Sequence, residues 1–214
     1  MRARLFTTLL ALCSAPLLAQ PHASAPAVQV HTSDIGFSYS LPADWEVVDL
    51  SSSLPAAQQQ ARQKAESDDV KRGVACLQIV LNAHHGSPGS TVVVMALPTA
   101  CVGAEATEKD LPGIAIAASQ SIQQYFDVGD PVLGAYSLGS HSARIARAKG
   151  NPKGHPEIPY TVETVCSLLK KGAVCWMALA ADDASLATFE NGSVTLDNEA
   201  PSALVPAKAF VKTP

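Results

Sequence analysis

Charge is sparse in this sequence. Lys, Arg, Asp and Glu make up 16% of 214 residues, with a formal net charge of −4. No basic stripe is present, which argues against a nucleic-acid binder. No polybasic segment is present either, so nothing draws the chain to an anionic membrane. No internal repeat appears, and no two cysteines stand at a short knuckle spacing such as Cys-x-x-Cys, which argues against a zinc site. The longest N-terminal apolar run, Leu5 to Leu12 with Thr7 and Thr8 inside it, is far short of the roughly 20 residues a membrane span needs.

That run nevertheless has a meaning. Met1-Arg2-Ala3-Arg4 supplies two positive charges before it, and small residues and prolines follow through Ala27. This is the build of a secretory signal peptide, so residues 1–27 read as signal and processing region. Cleavage after Ala19 or after Ala27 both fit, while Pro26 spoils Ala23-Ser24-Ala25. Cys13 after Leu10-Ala11-Leu12 looks like a lipoprotein box, but Leu12 is too bulky for that position. The expected location is periplasmic or secreted, with no integral membrane segment after processing. Residues 28–33, the end of a Pro/Ala/Ser/His stretch, read as a disordered linker. Residues 34–214 read as one globular domain, since 47% hydrophobic residues can fill one core.

The sharpest local signature is Gly36 to Asp49. Phe37, Tyr39 and Leu41 alternate with Ser38 and Ser40, the period of a strand with one buried face. Pro42 ends the ladder because it has no N–H to donate, and Trp45 comes down on the core. A surface helix is expected from Leu54 to Ser67. Strands are expected over 73–82 and 90–99, a helix from Leu111 to about Phe126 capped by Asp110, and a hairpin of 132–136 with 142–148. A loop over 151–156 precedes a last hairpin, 158–168 with 173–181, and a short helix capped by Asp182 or Asp183. The run from Ala173 to Ala180 has no polar position and belongs mid-sheet. The tail from Ala203 to Phe210 is apolar enough to dock on the core. Hairpins outnumber parallel crossovers, so the fold class is α+β: a mainly antiparallel sheet with helices packed on its faces.

Cysteines number four once the signal peptide is removed: Cys76, Cys101, Cys166 and Cys175. An exported chain meets an oxidising compartment, where an even count favours disulfides. Cys76 and Cys101 are equidistant from the 87–90 turn, and Cys166 and Cys175 from Lys170-Lys171. Facing pairs across antiparallel strands lie within bridging reach, which predicts Cys76–Cys101 and Cys166–Cys175. A bulge at Gly172 would shift the second register by one residue.

The strand of alternating aromatics, the Leu41-Pro42-x-x-Trp45 corner, the Gln-rich helix and the late helix after a strongly apolar hairpin resemble the PsbP-like sandwich superfamily. That superfamily includes a photosystem II extrinsic subunit and a Ran-binding nuclear transport factor. The resemblance implies an α/β/α sandwich and a non-catalytic binding or assembly role. It carries over no ligand-binding residue, and export excludes the Ran-binding role.

One motif points to chemistry. Ala135-x-Ser137-x-Gly139 approaches the nucleophile elbow Gly-x-Ser-x-Gly, and His85-Gly86 could mimic an oxyanion-loop signature. The enzyme needs an acid and then a histidine after its serine. No acid lies between Ser137 and His155, the last histidine, and Glu157 follows both. His84, His85, His141 and His155 suggest loop histidines rather than a shared metal. Tyr160, Glu163, Arg144 and Arg147 are expected on an exposed polar face, and Trp45 and Trp176 in the core with bonded indole N–H groups. The reading is an exported, non-catalytic binding or assembly module of the cell envelope, its ligand unknown, an envelope protein one candidate partner, and no cofactor or metal expected. The alternative is a small secreted serine hydrolase with Ser137 as nucleophile.

Overall fold

The computed structural model describes residues 28–210, apart from 53, 66, 88, 104 and 105. The stretch expected to be a signal peptide, with Cys13 in it, lies outside the described residues. Strand structure begins earlier than expected: Val28–Ser33, read above as a linker, is β1. It pairs antiparallel with β2, Phe37–Pro42. The sequence hid β1 because its side chains are only half covered, so it carries no continuous apolar face. Its anchor is polar. The Gln29 side-chain amide donates to the carbonyl oxygens of Pro42 (3.2 Å) and Trp45 (2.7 Å). On β2, Phe37, Tyr39 and Leu41 are buried, as the alternation requires. Trp45 is also buried, just before β3, Glu46–Val47, and stacks on the His85 ring with centroids 5.5 Å apart.

Two helices follow, α1 at Leu54–Lys64 and α2 at Asp68–Cys76. The second corrects the sequence reading, which had a strand starting at residue 73. Ser67 caps α2 by accepting from the Val70 amide at 3.2 Å. β4 is Gln78–His85, β5 is Ser90–Pro98, and α3 is one turn at Thr99–Val102. Cys76 and Cys101 are bridged, with Cα atoms 5.6 Å apart. The bridge is not the cross-strand contact that symmetry suggested. Cys76 ends α2 and Cys101 lies in α3, beyond the ends of the ladder, where β4 pairs β5 from Gln78↔Ala96 to His85↔Ser90.

The next helix, α4, is Leu111–Gln120 and stops well before residue 126. Asp110 precedes it but makes no capping bond; its carboxylate accepts from Thr107 N and Oγ1 instead, both at 2.8 Å. A turn carries the chain past an exposed Tyr125 into a short edge strand, β6, Phe126–Val128. β7 is Val132–Leu138 and β8 is His141–Pro152, so the expected loop at 151–156 begins inside a strand. β9 is Tyr160–Leu169 and β10 is Gly172–Ala180; the bulge considered at Gly172 does not occur, and Cys166 faces Cys175 with Cα atoms 4.2 Å apart. α5 is Asp183–Glu190, capped by Asp182, whose Oδ1 accepts from the Ser185 amide at 2.7 Å. β11, Ser193–Leu196, and β12, Ser202–Ala203, finish the order.

The strands form two antiparallel sheets. The larger runs β3-β4-β5-β10-β9-β8-β6, with β7 also on β8; the smaller runs β1-β2-β11-β12. β9 and β10 are central and nearly continuously buried, which is why the run from Ala173 shows no alternation. Side chains on the two faces of the large sheet enter two cores. Val165, Val174, Trp176 and Ile145 meet the small sheet and α5, with Phe37 set edge-on against Trp176. Cys166, Cys175 and Ala146 meet Leu111 and Ala115 of α4. Leu204 and Ala209 bring the C-terminal stretch onto the first core. The fold class is α+β.

Candidate functional site

Ser137 lies near the end of β7, exposed, directly opposite Ser142 on β8. The chain then turns at Gly139 and Ser140 into another strand, so the strand-to-helix elbow that would present a nucleophile is not formed. The histidines are scattered. His85 stacks on Trp45, with Nε2 3.3 Å from Asp44. His155 bonds Glu157 on the surface. His141 is nearly enclosed, its Nδ1 2.9 Å from the Leu168 carbonyl and its Nε2 3.5–3.6 Å from Glu199 and Asp197. Ser140 also binds Glu199, through its amide at 2.9 Å and its hydroxyl, and the Lys170 amide donates to Asp197 at 3.2 Å. This knot clamps the β7–β8 and β9–β10 turns to the turn after β11. Among the described residues, no set of three His, Cys, Asp or Glu side chains is placed to hold a metal ion.

The expected exposed polar face does not exist. Arg147 and Arg144 sit at odd and even places on β8, and Glu163 and Tyr160 are buried. Trp176 is buried too, but its indole Nε1 has no partner among the described residues. Arg147 bonds Glu163 across the β8–β9 ladder and Glu190 on α5, and its guanidinium lies 4.2 Å from the Phe210 ring centroid. Burial pushes the Glu163 carboxyl up to about 7, outweighing the hydrogen bond and charge of Arg147. Burial likewise raises the Tyr136 phenol, which donates to the Leu204 carbonyl at 2.6 Å. The cluster ties α5, β7, β8, β9 and the C-terminal stretch together. Arg147, Glu163, Glu190 and Tyr136 each bond another part of the chain, with Glu163 Oε1 the buried atom left without a partner, which makes the cluster a fastening rather than an open site.

Open space lies on the opposite face of the large sheet. A groove of about 580 Å³ runs between α2 and α4, within the range typical of small-molecule sites. Its α2 wall is Val70, Gly73, Val74 and Leu77, and its α4 wall is Ile114, Ala117, Ala118 and Ser121. Both walls thus present positions i, i+3 and i+4, one face of a helix, extended by Leu77 and Ser121 just past the two helix ends. Met95 and Ala96 of β5 and Cys175 of β10 form the floor. The Ser121 hydroxyl already donates to the Ala118 carbonyl at 2.7 Å, so the lining offers almost no free polarity. The Cys76–Cys101 bridge holds the end of α2 beside α3 and so sets the wall in place.

Of the α4 wall only the helix itself was legible; no open face at Ile114, Ala117, Ala118 or Ser121 was assigned from the sequence. The α2 stripe was missed, although Val70, Val74 and Leu77 at four- and three-residue steps were a helical signal in plain view. The apolar residues that follow them, Ile79 to Leu81, pulled the strand assignment too far forward.

No protein-family model matches this chain, and none of the curated proteins does. Among solved structures, the solution structure of cyanobacterial PsbP (CyanoP) from Synechocystis sp. PCC 6803 is similar at 10% identity and a TM-score of 0.45. The match covers 79% of this chain and 89% of that one. It is a weak resemblance, at the level of fold.

Proposed function

We propose that this protein is an exported, non-catalytic binding module of the cell envelope, and that it takes its ligand in the groove between α2 and α4. The observation that carries the reading is the groove itself. Two helices turn matching apolar stripes toward each other across a sheet, and the described residues leave the space between them unfilled, where a core would ordinarily close to crystal-like density. Export is supported by the signal-like N-terminus and by two disulfides, which persist in oxidising compartments. A binding role rather than hydrolysis is supported by Ser137, which sits on a hairpin strand and not at an elbow.

The test uses N-phenyl-1-naphthylamine, an apolar probe that fluoresces when it leaves water. The purified protein should bind it saturably. Gly73→Leu should abolish that binding with an unchanged melting temperature, because a Cβ at Gly73 meets nothing within 4 Å. Absent binding, or equal binding by both proteins, would remove the groove as the ligand site.

A further inference from the structure

We infer that the groove and the hollow beside it form one site for a single-chain amphiphile, with its alkyl chain between α2 and α4 and its polar head at Thr99 and Lys170. This deepens the function proposed above and rests on the groove being a binding site. The groove continues into a second hollow of about 420 Å³, with Leu97, Ala106 and Ala173 lining both. The two halves differ in chemistry. The first is apolar along both helix stripes, and its one hydroxyl is committed to the backbone. Any polar group lodged against that lining would gain no partner from it, which disfavours polar ligands over that length.

The second half holds Thr99, Lys170 and Asp110. Asp110 gives its Oδ2 to Thr107 and the Lys170 ammonium is near enough to Glu199 to lower that carboxyl, so a ligand head would meet the Thr99 hydroxyl and that ammonium at the hollow's rim, beside the remaining Asp110 oxygen. A ligand that satisfies both halves has a chain without polar atoms and a head that accepts hydrogen bonds. Gly73 strengthens the case. A glycine inside a helix destabilises it by roughly 1 kcal/mol relative to alanine, and here its missing side chain widens the wall exactly where chain would pass, with no atom within 4 Å of the place a Cβ would take.

The experiment is displacement of N-phenyl-1-naphthylamine from the purified protein by saturated fatty acids of increasing length, below their micelle concentrations. Decanoate, dodecanoate and tetradecanoate should displace it in that order of increasing affinity. Each buried methylene should tighten binding by up to about fourfold, the equivalent of ~0.8 kcal/mol. Lys170→Ala should weaken dodecanoate at least severalfold and leave the naphthylamine affinity unchanged. Binding of the naphthylamine without displacement, or with no dependence on chain length, would overturn the amphiphile and leave the groove as a binding site for something else. An unaltered dodecanoate affinity in Lys170→Ala would overturn the placement of the head. Failure of the naphthylamine to bind the wild-type protein would overturn both readings together.

Discussion

Arg147 and Glu163 stand opposite each other on β8 and β9, and the Glu163 side chain is fully enclosed while that of Arg147 is about one-third exposed. The arginine therefore reaches from a buried carboxylate to the surface, collecting Glu190 and the Phe210 ring on its way. One side chain fastens two strands, a helix and the C-terminal stretch.

Stability should fall as pH rises toward neutrality through this carboxyl. Burial raises Glu163 to about 7 from an ordinary 4.5, so between those values the folded protein keeps a proton that the unfolded chain has released. The contribution is complete below about 4.5 and is lost as pH passes through about 7. Denaturant titrations across this window should show a declining unfolding free energy. Glu163→Gln should flatten the decline by on the order of 1–3 kcal/mol. Identical slopes in the two proteins would refute the assignment.

Trp45→Ala should cost roughly 3–5 kcal/mol, as expected for removing a buried large aromatic side chain. Trp45 is only 4% exposed and covers the His85 ring. A melting curve close to wild type would place the indole outside the core.

Gly192→Ala should destabilise by roughly 1–3 kcal/mol, the usual cost of overpacking. An added Cβ would come within 2.4 Å of the Tyr39 ring. Tyr39 has no room to retreat, since it is fully buried and donates to the Phe189 carbonyl at 3.2 Å. Thermal denaturation that matched wild type would show that the ring moves freely.

The two bridges should differ in what they contribute. With sequence separations of 25 and 9 residues, the chain-entropy relation gives about 3.5 kcal/mol for Cys76–Cys101 and about 2.6 kcal/mol for Cys166–Cys175. Replacing each pair by alanines and comparing denaturation midpoints checks the order. Peptide mapping of the non-reduced protein checks the pairing, and a Cys76–Cys175 linkage would contradict it.

Short p-nitrophenyl esters should not be hydrolysed above background. Ser137 faces Ser142 on an exposed hairpin and has no elbow to present it. A rate that disappears in Ser137→Ala would restore the hydrolase.

Local patterns were enough where burial follows the repeat of a single element. Alternation at Phe37, Tyr39 and Leu41 marked the buried face of β2, and the unbroken run from Ala173 marked the sheet centre. The turn at Lys170-Lys171 placed Cys166 against Cys175, because a hairpin register depends only on its own turn. What failed was whatever depends on residues far away in the chain. β1 exists because β2 offers it an edge and Gln29 reaches Pro42 and Trp45, none of which shows in its own sequence. Glu163 looks like a solvated residue in the sequence and is buried against Arg147, which Glu190 of α5 and Phe210 hold in place.

The groove shows the division most sharply. Its two stripes are written locally, at helical steps along Val70 to Leu77 and Ile114 to Ser121. Their facing each other is not. That depends on β5 and β10 lying side by side beneath them and on a disulfide from α2 to α3. Sequence alone determined most strands of the larger sheet, the buried face of β2, the helices α1, α4 and α5 and the Cys166–Cys175 pairing across its hairpin, since each is a matter of short-range geometry and side-chain type. Tertiary structure decided which apolar faces found a partner and which were left open, because burial is a property of surfaces brought together from distant parts of the chain.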